Sequence, residues 1–253
     1  MDIPINSFKA ALAERRQQIG MWSALASPIA AEVLSSSGFD WVLIDMEHGP
    51  NDLSEVMAQA QALARGSAPV LVRTAWNDAV LIKRVLDMGI QSLVIPFVQN
   101  AQEAAAAVAA TRYPPDGVRG VAGGSRATQY GRVQGYHKNA GDQLALVLQI
   151  ETLDAIDQIE AIAALDGVDA LFVGPADLAA SMGHLGDINN DEVQAAMASA
   201  AQRCHAAGKP IGTLAVDPPV ARRYFDMGYD FIAVGVDAVL FARAADALVQ
   251  EFR

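Results

Sequence analysis

Short apolar runs and helical patterns alternate along almost the whole chain. The runs are IGMWSAL (19–25), FDWVLIDME (39–47), PVLVRTA (69–75), SLVIPFV (92–98), LALVLQIE (144–151), DALFVGP (169–175), PIGTLAV (210–216) and DFIAVGV (230–236). Each is too short for a buried helix and lacks clean polar alternation, which is how strands covered on both faces read. Helical patterns fill the gaps: PIAAEVLSS, LSEVMAQAQALAR, AVLIKRVLDM, AQEAAAAVAATR, LDAIDQIEAIAAL, DEVQAAMASAAQRCHAA, PPVARRYFDM and AVLFARAADALVQEF. Gly38, Gly66, Gly89, Gly208 and Gly228 follow such patterns and are expected to cap helices at their C-terminal ends. A further helix around SFKAALAERR precedes the first strand.

Eight strand–helix units in 253 residues predict a (β/α)8 TIM barrel with an additional N-terminal helix, folded as one domain over residues 1–253. A doubly wound sheet is the rival architecture, and it often carries a glycine fingerprint after its first strand. Here ASPIAAE follows that strand, no GxxxxGK[ST] occurs, and GVAGGS (120–125) does not follow a strand. Residues 114–142 break the rhythm. They are Gly-rich with several Arg and read as a loop, and loops of that length in compact domains are usually functional or disordered. Coming after the fourth helix, the segment belongs to the end of the barrel away from the active-site loops, unless it folds across an edge or a subunit contact.

Composition narrows the function classes. With 52% hydrophobic residues the chain is not a disordered one. Its 29 acids against 18 bases give a net charge of −11, which disfavours nucleic acid and anionic lipid as partners. No run approaches the roughly 18 apolar residues of a membrane span, and MDIPINSFKAALAERR has no apolar signal core. The lone cysteine, Cys204, excludes an intrachain disulfide and fits a reducing cytoplasm.

In a barrel of this kind, chemistry sits at the C-terminal ends of the strands. Asp45, Glu47 and His48 end the second run, Arg73 the third, Gln149 and Glu151 the fifth, and Gly174-Pro175-Ala176-Asp177 the sixth; Trp22, Phe97 and Leu214 are among the apolar residues at other ends. Glu151 and Asp177 close consecutive strands, and two carboxylates at strand spacing repel unless they share a proton or a cation. One reading is a divalent ion on oxygen ligands, Mg²⁺ or Mn²⁺. The other makes Asp177 a helix cap and Glu151 a solvated loop acid. His48, on the same strand end as Asp45, suits a general base, or is a hydrogen-bonded loop histidine. Arg73 interrupts an apolar run, either to hold a carboxylate or enolate or to pair with a barrel acid. The four lysines, Lys9, Lys83, Lys138 and Lys209, all lie away from these strand ends, which leaves no candidate for a Schiff base. Cys204 lies within a helical pattern and reads as a core or inert thiol.

Taken together, DMEHGP (45–50), VLVRTA with Arg73, YPPDGVRG (113–120), QIET (149–152) and VGPADLAASMG (173–183) resemble the HpcH/HpaI aldolase family over essentially the whole chain. The resemblance implies a (β/α)8 barrel and a class II pyruvate aldolase. Such an enzyme reversibly cleaves a 4-hydroxy-2-oxo acid to pyruvate, or hydroxypyruvate, and an aldehyde. It implies His48 as base, Asp87 as the acid that raises its basicity, Asp45 as a second acid, and Arg73 steadying the enolate. It implies Glu151 and Asp177 as ligands of a divalent ion (Mg²⁺ or Mn²⁺, with Co²⁺ or Zn²⁺ as alternatives). Gln149, Gly174, Pro175, Ala176, Asp177, Leu214 and Trp22 become substrate contacts. A homohexamer, a trimer of dimers, is implied with sites near subunit contacts. The segment RGVAGGSRATQYG departs from the family's usual RGVG pattern, which bears on the aldehyde partner. A malyl- or citramalyl-CoA lyase is the nearest alternative, but no basic cluster offers a place for the CoA moiety. A barrel that binds a small acid without turnover is the third reading.

Overall fold

The computed structural model describes residues 1–253. Eight parallel strands close into a barrel in chain order. They are β1 (Gln18–Ser23), β2 (Trp41–Asp45), β3 (Val70–Arg73), β4 (Ser92–Ile95), β5 (Ala145–Ile150), β6 (Ala170–Val173), β7 (Ile211–Leu214) and β8 (Phe231–Val236), and β8 returns to pair with β1. Every predicted apolar run overlaps one of them, and β1 begins one residue before its run. The helices between are α2 (Pro28–Ser35), α3 (Leu53–Leu63), α4 (Ala79–Asp87), α5 (Ala101–Thr111), α7 (Leu153–Asp157), α8 (Ile159–Ala163), α9 (Pro175–Ser181), α10 (Asp191–Ala206) and α11 (Pro218–Asp226). The fold is the (β/α)8 barrel read from the sequence.

Local chemistry sets the helix ends. Ser27, Asp78, Asn100 and Thr152 each accept a backbone N–H of the first turn they precede, which satisfies donors the helix cannot. Gly38, Gly89, Gly208 and Gly228 take the left-handed conformation expected after a helix. Gly66 does not; a Cβ there would run into the Ser35 carbonyl, so its role is close approach rather than a left-handed cap. The pattern LDAIDQIEAIAAL folds as two short helices broken at Gln158, not one. A helix absent from the periodic patterns, α9, starts directly after β6; Asp177 lies in its first turn, and Gly174, not Asp177, holds the cap position. In the segment 114–142 and just past its end, α6 (Tyr136–Asn139) and a 3-10 turn (Ala140–Gln143) form, and Ala127, Val133, Tyr136 and Ala140 bury one another. This segment leans on the C-terminal end of α4, where the Ala127 N–H donates to the Asp87 carbonyl and Arg126 to that of Met88.

The barrel interior is filled by Trp41, Leu43, Leu71, Val94, Val147, Phe172 and Phe231. The predicted N-terminal helix, α1 (Ser7–Ala13), closes the end where the strands begin. Its Phe8 is completely buried, with its ring edge-on to Phe231 at 5.4 Å and to Trp41 at 6.1 Å. Gly20 and Gly212 lie against the Trp41 and Phe231 rings, where any Cβ would collide. One end of the barrel is therefore plugged with aromatic packing, and polar side chains collect at the other. The last helix, α12 (Asp237–Gln250), is rooted by the buried Asp237 and then leaves the barrel. Residues 240–253 are all exposed, including Leu240, Phe241, Leu248, Val249 and Phe252. No helix is long and apolar enough to cross a membrane.

Candidate active site

The register of β2 against β3 places Asp45 beside Arg73. The guanidinium meets the carboxylate as a fork, Nε to Oδ1 at 2.8 Å and Nη2 to Oδ2 at 2.7 Å, with both side chains buried. The Trp22 indole N–H also donates to Asp45 (3.1 Å), and its ring lies under the guanidinium carbon at 4.8 Å. Burial alone would raise the Asp45 carboxyl; the hydrogen bonds and charge of Arg73, with the Trp22 and Glu47 donors, outweigh it and hold the group below its usual range. Nη1 of Arg73 remains, 2.8 Å from a Glu47 oxygen and 3.4 Å from the Gln149 side-chain Oε1. Glu47, at the same strand end, is half-buried. Its carboxyl is pushed up by burial, against the pull of Arg73.

His48 follows on the same turn and is exposed at the mouth of the barrel. Its backbone N–H and that of Glu47 point at Asp45 Oδ1, at 3.5 and 3.0 Å. The carboxylate that fixes Arg73 thus also shapes the turn carrying His48.

At the end of β5, Gln149 donates to Glu151 Oε2 at 2.5 Å, and the Phe97 N–H donates to Glu151 Oε1 at 2.9 Å. Phe97 reaches this place with φ of +55°, an unusual conformation for a bulky residue at a site whose surroundings over-determine it. Its ring stacks on Trp76 at 5.9 Å, two aromatics left open at the rim after β4 and β3. Burial, then the charges of Asp177 and Glu47, raise the Glu151 carboxyl to about 7. Gly174 lies so close that a Cβ would strike the Glu151 carboxylate and come within 2.8 Å of the Gln149 amide nitrogen. Pro175 and Ala176 then open α9 and bring Asp177 to its first turn, exposed above the site.

Three acids, Asp45, Glu47 and Glu151, thus gather around one buried cation, Arg73, and Asp177 lies near enough to act on Glu47 and Glu151. Glu151 and Asp177 are hard oxygen donors of the kind that suit a divalent ion such as Mg²⁺ or Mn²⁺.

Of the other expected residues, Trp22 is 3% exposed and serves Asp45, and Leu214 is half-buried at the end of β7. Asp87 is not brought to this cluster. It ends α4, which runs back antiparallel to β3, and its carboxylate pairs with the buried Arg119 at 3.0 Å.

The HpcH/HpaI aldolase/citrate lyase family model matches residues 18–244. The pyruvate aldolase of Rhizobium etli is 50% identical over 252 residues, covering 100% of this chain and 99% of that protein. The 4-hydroxy-2-oxo-heptane-1,7-dioate aldolase of Escherichia coli is 48% identical over 248 residues, 98% of this chain and 95% of that protein. The crystal structure of an HpcH/HpaI aldolase/citrate lyase family protein from Burkholderia cenocepacia superposes with a TM-score of 0.95 at 42% identity, covering 98% of this chain and 99% of that one.

Proposed function

Because the chain belongs to the HpcH/HpaI aldolase/citrate lyase family, we propose that it is a class II pyruvate aldolase, an aldehyde-lyase. It cleaves a 4-hydroxy-2-oxo acid to pyruvate, or hydroxypyruvate, and an aldehyde. The observation that carries this reading is the pairing of a fixed Arg73 with the Glu151–Asp177 acids at the open end of the barrel.

Glu151 and Asp177 would hold a divalent ion, Mg²⁺ or Mn²⁺ by the hardness of the donors. When bound, the ion would supply Lewis acidity toward the oxo acid. Gln149, Gly174, Pro175, Ala176 and Asp177 surround that position and are the proposed contacts of the pyruvate half. His48, exposed at the mouth of the barrel, takes the proton of the C4 hydroxyl as the C3–C4 bond breaks, and protonation of the resulting enolate at C3 completes pyruvate. Asp45 occupies Nε and Nη2 of Arg73, so Nη1, flanked by Glu47 at 2.8 Å and the Gln149 side-chain oxygen at 3.4 Å, is the edge that offsets the negative charge developing on the pyruvate oxygen. Trp22 supports Asp45 from inside the barrel, and Leu214 borders the aldehyde side.

Asp87 can raise the basicity of His48 only if another copy of the chain supplies it, because the two lie at opposite ends of one barrel. This fits a homo-oligomer, with the hexamer as the expected form. The apolar residues of α12, together with Ile29 and Val33 exposed on α2, give such an assembly a surface to bury. The whole chain acts as one barrel domain, and the single buried thiol suits the cytoplasm.

The experiment is pyruvate release from 4-hydroxy-2-oxo-heptane-1,7-dioate, followed with wild type and His48→Ala. Loss of turnover in the variant supports the assignment; wild-type rates would remove His48 from the mechanism.

A further inference from the structure

Behind the turn that carries His48 runs a line of buried polar side chains that the reaction itself does not use. Gln59 is completely buried on α3, on a face otherwise made of Val56, Ala60 and Leu63. An amide in such a place has to find partners, and an apolar side chain would cover the barrel at less cost. Its Nε2 donates to Asn51 Oδ1 at 2.6 Å and to the Glu55 carbonyl at 3.1 Å; its Oε1 lies 2.9 Å from the Ser23 hydroxyl. Asn51, also buried, donates from Nδ2 to the Asp45 carbonyl at 2.7 Å. The Ser23 hydroxyl is 3.2 Å from the buried Asp237, which accepts the Ala24 N–H at 2.8 Å.

The turn from Asp45 to Asn51 is thus pinned twice. Inside, the Asp45 carboxylate takes the Glu47 and His48 amides. Across its neck, Asn51 grips the Asp45 carbonyl, and Gln59 fixes which way the Asn51 amide faces. Gly49 sits in the neck, where a Cβ would come within 2.6 Å of the Asp45 carbonyl and 2.8 Å of the Asn51 amide nitrogen.

We propose that Asn51 and Gln59 are positioning residues for the proton transfer, a clasp that holds His48 in place relative to the Asp45–Arg73 pair. This rests on His48 being the base. Neither residue touches the Glu151–Asp177 side, which is built from β5 and α9, so the clasp governs turnover and not substrate capture.

The test is steady-state kinetics of Gln59→Met and Asn51→Asp in the full-length enzyme with Mn²⁺, using 4-hydroxy-2-oxo-heptane-1,7-dioate, beside His48→Ala. Both clasp variants are expected to lose roughly 100-fold in kcat, the scale of a ~1 Å misplacement, with KM within about threefold of wild type. Should Gln59→Met fail to fold, the near-isosteric Asn51→Asp carries the test alone. A kcat within about twofold of wild type, or a loss expressed mainly in KM, would overturn the clasp. If His48→Ala loses turnover while the clasp variants keep it, only the clasp fails; if His48→Ala keeps wild-type turnover, the assignment of the base fails first.

Discussion

Arg73 and Asp45 face each other across neighbouring strands as a two-bonded fork, buried on both sides and braced by the Trp22 indole. The pair does two jobs in one contact. It neutralises an acid the barrel could not otherwise bury, and it aims the remaining edge of the guanidinium. Arg73→Lys keeps the charge but has no planar fork. We expect it to fold and to lose on the order of 10²–10³ in kcat, the scale of one lost transition-state donor. Arg73→Ala leaves Asp45 uncompensated and should cost about 3–5 kcal/mol of stability, read by denaturant melts.

Chelation tests the carboxylate pair. Pyruvate release should stop in enzyme stripped with EDTA and return with Mn²⁺ or Mg²⁺. Glu151→Gln should weaken metal binding in calorimetry while leaving the barrel folded. Full activity in metal-free enzyme would count against the pair as ligands.

The pH dependence of metal-free protein has a definite sign. In the folded chain the Glu151 carboxyl sits at about 7 instead of 4.5, raised first by burial and then by Asp177 and Glu47. The folded state therefore binds this proton more tightly than the unfolded chain does. Its contribution is fully present below 4.5 and is lost as the pH rises through about 7. Melting temperatures of the chelated protein should fall across that window, and added divalent cation should stabilise most at its upper end.

Gly174→Ala puts a methyl group against the Glu151 carboxylate and the Gln149 amide. Both belong to the crowded floor of the site, and neither can retreat without losing a hydrogen bond. We expect weaker metal binding and a clear drop in kcat/KM with only a modest change in Tm. Titration with Mn²⁺ would reveal it.

Cys204 is buried on α10, and burial pushes its thiol up to about 12. Iodoacetamide near neutral pH should leave it unmodified in the folded protein and label it once the chain is denatured. Mass spectrometry reads the difference.

The strands were legible because a strand largely covered on both faces is a mostly apolar run, and all eight come close to this. The short α9 escaped because seven residues in PADLAAS give a helical period little room to show. At the site, Asp45, Arg73 and Glu151 announced themselves as charges at the ends of apolar runs. Glu47 was visible but carried no mark of its contact with Arg73, which depends on how the turn after β2 folds. Asn51 and Gln59 were silent for a deeper reason. A glutamine in a helix usually faces water, and only the packing of α3 against the barrel shows that this one does not. Asp87 was legible as a motif residue, yet one chain does not carry it to His48.

The exposed α12 changes what stability means for this protein. A helix that leaves its own barrel with Phe241, Leu248 and Phe252 uncovered contributes little to a lone chain and much to an assembled one. If copies of the chain cover it, mass action enters the folding equilibrium, and the melting temperature climbs with protein concentration. Dilution then lowers the stability of the fold.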